Sequence, residues 1–316
     1  AKEDARYVVS LATQAQLGMT LNARNLEYLI RRFASKKMAE LRELNQKIYK
    51  LAKRVAPSII LFTEANDFDV RTYRDLESKT HQLLSPDGRT EDGDVRLVSY
   101  TPDGDNRLVA ALLHSSSALP YETCFEKAKK LSVKEKESFL KLAWQHMEFY
   151  DFALREFEYL DLQFDLIVSA TCFAQLKRHR MATMTSQPYN PDLGVTIPPS
   201  VEAVGSQTDF LEMIQRTNEV YDLLQKKLEV GADYILTNAH RKRVLFKVNI
   251  RELYHISRLR EDLTAQWDIR QVVGNMIERA KDVMPMACLL IGGKDAYPKI
   301  YQRVYGKFPK LDPPKI

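Results

Sequence analysis

The chain has 316 residues, 45% of them apolar, and its 47 Lys or Arg against 42 Asp or Glu leave a formal charge of only +5. That composition excludes wholesale disorder and fits one large or two modest domains, while so diffuse an excess of charge does not define a nucleic-acid binder. The longest nearly uncharged apolar stretch, Val283 to Gly292, is too short for a bilayer and is broken by Pro285.

Residues 1–66 open with an extended segment, then a polar helix start, then a long amphipathic helix. In that helix Leu41, Leu44, Ile48, Leu51 and Val55 recur at steps of three and four, the spacing of one buried face, and Pro57 ends it. Glu64 to Asp94 is polar and reads as a linker with one helical turn, which sets a boundary segment at 67–94. Val95 to Tyr100 predicts a strand, ended by the turn Thr101-Pro102-Asp103-Gly104. Ser132 to Tyr150 is helical by pattern. Leu162, Phe164, Leu166 and Val168 alternate within a second strand, Leu160 to Val168, and Ser169 is placed to cap the helix after it. Ser206-Gln-Thr-Asp209 resembles a capping box, and Phe210, Ile214, Tyr221, Leu224 and Leu228 form a helical stripe running to Gly231.

The opening pattern then returns. Asn22-Ala-Arg24-Asn-Leu26 recurs as Asn249-Ile-Arg251-Glu-Leu253 (249 − 22 = 227), and at the same separation Ala5, Tyr7 and Arg31 match Ala232, Tyr234 and Arg258. One inserted residue later, Arg42, Ala52, Lys53, Val55 and Pro57 match Arg270, Ala280, Lys281, Val283 and Pro285. Ile269, Val272, Met276, Ala280 and Val283 repeat the apolar stripe. Residues 95–316 therefore read as one complete unit and 1–66 as the C-terminal half of a preceding one, so the chain is expected to be a piece of a longer tandem protein. No secretory signal precedes the charged start. Three widely spaced cysteines, Cys124, Cys172 and Cys288, exclude a disulfide framework and imply a reducing, cytoplasmic setting.

Lys177-Arg178-His179-Arg180 is the densest cationic point, at the end of the helix begun at Ser169. Alone, it reads first as cations stabilising a helix C-terminus or a solvated patch, and only second as forked donors for a phosphate. Aromatic residues do not interleave with it, against a nucleic-acid surface. His146 beside Trp144 reads as a packed or surface histidine, and His81, His114 and His240 lack spaced partners, so no metal is expected. A Gly-rich phosphate loop is absent.

Val95-Arg-Leu-Val-Ser-Tyr-Thr-Pro-Asp103, Gln175-Leu-Lys-Arg178-His179-Arg180, Asn249-x-Arg251-x-Leu253 with Arg260, and Ala265-Gln-Trp-Asp-Ile-Arg270 together resemble the flavin-dependent thymidylate synthase family. The resemblance covers nearly all of Val95 to Tyr297, and Ala5 to Pro57 resembles the family's C-terminal half. It implies an α+β fold, an antiparallel-type sheet with long amphipathic helices, here in a one-and-a-half-copy tandem, assembled as a homo-oligomer or with a missing N-terminal half-unit. It also implies reductive methylation of dUMP with FAD, with NADPH and methylenetetrahydrofolate as co-substrates. Residue by residue it puts Gln175, Arg178, Ser186 and Arg6 at the nucleotide, Arg178, His179, Arg180, Asn249, Arg251 and His255 at FAD, and Arg260 where the pyrimidine N3 is activated. Without the resemblance, Asn249 and Arg251 read as a helix cap and a surface ion pair.

The chain departs from the family pattern where a serine and an arginine should follow the Arg-His-Arg: Pro188 and Asn190 stand there. The arginine expected before Tyr234 is Asp233, whereas Arg6 precedes Tyr7; conversely Phe33 stands in the first copy where the second has Arg260. Two expectations follow: an enzyme whose site combines Arg6 with Arg178 and Arg260, or a degenerate flavin- or nucleotide-binding homologue with a structural or regulatory role.

Overall fold

The structure, a computed structural model, describes residues 2–84, 93–148 and 150–310. In chain order its helices are α1 (Lys2–Ala5), α2 (Ala23–Ala34), α3 (Ala39–Val55), α4 (Asp67–Leu83), α5 (Gly104–Ser115), α6 (Tyr121–Lys130), α7 (Val133–Trp144), α8 (Ala170–Leu176), α9 (Pro199–Ala203), α10 (Gln207–Lys227), α11 (Ile250–Arg260), α12 (Trp267–Val283) and α13 (Tyr297–Tyr305). The strands are β1 (Val95–Tyr100), β2 (Asp161–Ser169), β3 (Thr183–Tyr189) and β4 (Arg241–Asn249). They form one antiparallel sheet in the order β1-β2-β4-β3, so the fold is α+β. Among the described residues no helix is long and apolar enough to cross a membrane. The expected third domain ends at residue 316, and its last six positions, like 85–92 of the expected linker, lie outside the described residues.

The chain divides into two compact units, one of residues 1–9, 92–211 and 237–316, the other of 10–91 and 212–236. In the first, the alternation read in β2 is realised: Leu162, Phe164, Leu166 and Val168 are buried, opposite Val244, Phe246 and Val248 of β4. The α12 stripe packs on β1 and β2, with Ile269, Val272, Met276 and Ala280 buried. Each such Ile, Val or Met side chain contributes about 1.5–3 kcal/mol. The turn into α5 brings Gly104 so close to Met284 that a Cβ there would lie 2.8 Å from its side chain. The helix expected over 132–150 stops at Trp144, because the Met147 amide bonds the Trp144 carbonyl in a turn and the indole enters the core against Phe157, ring centroids 5.2 Å apart.

The second unit holds α2 and α3 on a small core of Ile30, Ala52 and Ile60, and also α4, none of whose side chains is buried. The polar run read as a linker with one turn is a correction: it holds the 17-residue α4. An Asn66–Asp69 capping box starts that helix, and Asp69 also accepts from Arg31 Nε at 2.7 Å. The extended segment expected before Asn22 forms no strand, and its Leu17 and Met19 are exposed. Their matches in the second copy, Val244 and Phe246, are buried in the sheet.

The two copies keep the same local geometry. Asn22 and Asn249 each cap their helix by accepting from the amide three residues on, and the residues after α3 and α12, Ala56 and Met284, share φ/ψ of −135°/61° and −140°/61°. Each unit also mixes the copies. In the first unit the amides of Asn238 and Ala239 bond the carbonyls of Val9 and Tyr7, and Tyr7 donates to Asp268 at 2.9 Å. In the second unit the amides of Leu11 and Ala12 bond the carbonyls of Leu236 and Tyr234, and Tyr234 donates to Glu40 at 2.5 Å. These are the same positions with the copies exchanged.

Candidate active site

Two helix ends build the site. Ser169 caps α8 by accepting from the Cys172 amide at 2.9 Å, and the helix ends after only seven residues in a turn where the His179 amide bonds the Leu176 carbonyl. That turn leaves Gln175 and Arg178 on a cavity wall while His179 goes under cover, 5% exposed. Opposite stands α11, started by Asn249, whose side chain accepts from the Glu252 amide at 2.8 Å. Arg251, His255 and Arg258, at steps of four and three, share the face that lines the cavity.

Arg260 joins the two helices. Its Nε donates to His179 Nε2 at 3.1 Å, and its two terminal nitrogens donate to Gln175 Oε1 and to the Gln175 carbonyl at 3.3 and 3.5 Å. His179 Nε2 accepts this bond, and its Nδ1 lies 3.6 Å from Glu252 Oε1. Burial, with Arg178 adding to it, holds the Arg260 guanidinium below its ordinary value. Burial also lowers His255, with His179, Arg258 and Arg260 reinforcing and Glu252 opposing; the His255 ring meets that of His179 edge-on at 6.2 Å.

Arg251 is tied into the wall by bonds to the Ala153 carbonyl at 2.7 Å and Glu158 at 2.9 Å, with its guanidinium over the Phe152 ring. Arg258 donates to the Asp151 carbonyl at 2.6 Å. The first copy adds Glu3 and Arg6, whose carbonyl accepts from Asn238 Nδ2 at 3.1 Å. The guanidinium groups of Arg6 and Arg178 make no hydrogen bond or ion pair among the described residues. The cavity they line encloses about 860 Å³. Six cations face it, Arg6, Arg178, Arg251, Arg258, Arg260 and Lys294, against the three acids Glu3, Asp151 and Asp262. Such a wall favours a ligand bearing several negative charges.

Of the residues singled out in the sequence, Arg6, Gln175, Arg178, Arg251, His255 and Arg260 line this one cavity, with His179 directly behind it. Asn249 acts as a helix cap. Arg180 and Ser186 are exposed and lie outside the cavity, Ser186 on β3 opposite Val244. Pro188 sits at the irregularity between Ser186 and Tyr189 on the edge strand, where a missing amide donor is tolerated, and Asn190 accepts from the Asp192 amide at 2.9 Å. Asp233 lines a different cavity, in the second unit, with Lys36 and Lys37. Sequence reasoning missed Asn238, Phe152 and Lys294; Arg258 carried a signal as the repeat match of Arg31. Among the described residues no cluster fit for a metal ion is present.

An α+β chain with a cationic cavity between two helix ends is thus defined. The chain belongs to the thymidylate synthase complementing protein family, whose profile matches residues 1–58 and 96–286. A UPF0159 protein of Thermoplasma acidophilum is 23% identical over 292 residues, 90% of this chain and 58% of that protein. A flavin-dependent thymidylate synthase of Saccharolobus solfataricus is 29% identical over 210 residues, 60% of this chain and 74% of that protein. The crystal structure of a UMP/dUMP methylase PolB from Streptomyces cacaoi bound with 5-Br dUMP covers 61% of this chain and 91% of its own at a TM-score of 0.47 and 15% identity, a likeness in part only. The chain spans little more than half the length of the Thermoplasma relative.

Proposed function

We propose that the chain is a flavin-dependent enzyme that methylates dUMP to dTMP with FAD, drawing the carbon from methylenetetrahydrofolate and the electrons from NADPH. The observation that carries this reading is the convergence of Arg6 from the first copy with Gln175, Arg178 and Arg260 from the second on one cavity. Two guanidinium groups without a hydrogen-bond or ion-pair partner among the described residues, in a cavity of this size, suit two phosphorylated ligands, a nucleotide and a dinucleotide cofactor. Bound FAD supplies the redox chemistry. The chain's residues divide the rest. Arg6, Gln175 and Arg178 bind the nucleotide. Arg178, Arg251 and His255 hold FAD, with Asn249 fixing the helix that carries the last two and His179 buttressing the wall. Arg260, fixed in three hydrogen bonds and half desolvated, stabilises charge growing on the pyrimidine without having to reorganise. Residues 1–66 serve as the second half of a preceding unit, and assembly with further copies or half-units completes the arrangement.

Pro188 and Asn190 favour the second reading, a homologue that binds without turnover, because neither offers the charged donor the family pattern has there. One preparation separates the two. The purified protein is expected to show a flavin spectrum that shifts on adding dUMP, and to form dTMP when the co-substrates are supplied. A flavin spectrum and dUMP shift without dTMP supports the binding-only homologue; no flavin and no dUMP shift overturns both readings.

A further inference from the structure

We propose that Tyr7 is a positioning residue for the site: bonded to Asp268, it fixes the 3-10 turn Arg6–Val8 against the second copy and thereby sets where the Arg6 guanidinium stands. The inference rests on the reading of Arg6 as a nucleotide ligand. Arg6 itself is exposed, on a three-residue 3-10 turn that has no side-chain cap. What fixes it is its neighbour. Tyr7 is fully buried, and its hydroxyl donates to Asp268 Oδ2 at 2.9 Å while accepting from Gln266 Nε2 at 2.7 Å. Asp268 Oδ2 also accepts from Ser169 Oγ at 2.5 Å.

Each of these partners belongs to an element of the site. Ser169 caps α8, the helix that presents Gln175 and Arg178. Gln266 caps α12, its Oε1 accepting from the Asp268 and Ile269 amides. The ring of Trp267 stacks on Tyr7 at 5.6 Å and its Nε1 donates to Asp4 at 2.9 Å. One carboxylate oxygen therefore takes a hydroxyl from each side, one from the start of α8 and one from the turn that carries Arg6. The backbone bonds of Asn238 and Ala239 to Val9 and Tyr7, and of the Asn238 side chain to the Arg6 carbonyl, complete the hold.

The chain carries its own control. Tyr234 makes the same bond to Glu40 in the second unit, but the residue before it is Asp233, which cannot serve an anionic ligand, and the pair is exposed. Because Tyr7 is buried and Tyr234 is exposed, what separates aiming from mere fastening is the Arg6→Ala background: a structural loss from Tyr7→Phe would persist there, whereas a loss through aiming would vanish.

The test measures dUMP affinity by calorimetry on the purified chain and on Tyr7→Phe, Arg6→Ala, the double variant and Tyr234→Phe. Arg6→Ala is expected to weaken dUMP by tenfold or more and Tyr7→Phe by about tenfold. Tyr7→Phe should add nothing in the Arg6→Ala background, and Tyr234→Phe should bind as the parent does. Should Tyr7→Phe fail to fold, Asp268→Asn, which keeps an acceptor for both hydroxyls, replaces it with a smaller loss expected and the same disappearance in the Arg6→Ala background. Parent-like affinity in Tyr7→Phe beside a weakened Arg6→Ala, or equal losses from Tyr7→Phe in both backgrounds, overturns the inference alone. Parent-like affinity in Arg6→Ala overturns the reading beneath it as well.

Discussion

Replacing Arg260 by lysine keeps a positive charge but removes the fork. In the structure that fork makes three bonds, to His179 Nε2, Gln175 Oε1 and the Gln175 carbonyl, at 3.1–3.5 Å. Two of the three are long, and the group is only part-buried, so their joint contribution to stability is small, about 1–2 kcal/mol. For a chain of this size that corresponds to a fall in the unfolding midpoint of roughly 2–8 °C. The functional loss is expected to be larger. A fixed donor aimed at developing charge is worth about 2.7–4 kcal/mol, or 10²–10³ in turnover, and a flexible ammonium recovers little of it. The assay is single-turnover dTMP formation by Arg260→Lys with FAD occupancy read from its absorbance in the same sample. Undiminished occupancy with a rate lowered at least a hundredfold is expected. A rate within tenfold of the parent would refute Arg260 as the polarising group, and a midpoint lowered by much more than 10 °C would show that its role is mainly in folding.

Two further outcomes concern stability. His240 is fully buried and its imidazole is held at about 4, because burial outweighs an opposing backbone interaction with Thr237. Its folded value lies below the unfolded 6.5, so the unfolded chain takes up a proton that the folded chain refuses, and stability falls as pH drops from about 6.5 to about 4. Full expression of that gap is worth roughly 3 kcal/mol; urea melts at pH 7 and pH 4.5 should show His240→Gln losing less over this interval than the parent. Val272→Asp puts a charge under the sheet and should cost more than 3 kcal/mol by chemical denaturation, whereas its repeat match Leu44→Asp, at a site 43% exposed, should cost under 1 kcal/mol. Equal losses would mean that the two helix faces have the same surroundings.

Local chemistry made part of this fold legible. The β2 alternation, the turn at Asp103-Gly104 and the caps at Ser169 and Asn249 are short-range signals, and each stands as the sequence implies. Helix α5 went unread because Leu108 to Leu112 are all buried, so no polar face interrupts them to show a period. Strand β3 went unread for the opposite reason: Thr183, Thr185, Ser186, Gln187 and Pro188 are exposed, and only pairing with β4 makes the segment a strand. Helix α4 hid behind its polarity, which a solvated helix shares with a linker. Motif resemblance gathered Gln175, Arg178, Arg251 and Arg260, but the contact of Arg260 with His179 joins residues 81 apart, a distance no local pattern spans. Asn238 and Phe152 enter the cavity wall through tertiary placement, with nothing around them in sequence to mark them.

The exchange of copies carries a consequence for stoichiometry. On the reading proposed above, each of the two units would offer a place for a nucleotide, and the arginines are not shared evenly between them. The first unit has Arg6 and Arg260 on one cavity, whereas the matching positions in the second unit hold Asp233 and Phe33. One place keeps both charges and the other has lost both, so a saturating titration should end at one dUMP per chain. The turn that carries Arg6 and the helix that carries Asp268 belong to the same polypeptide, so their meeting is unimolecular and does not weaken on dilution.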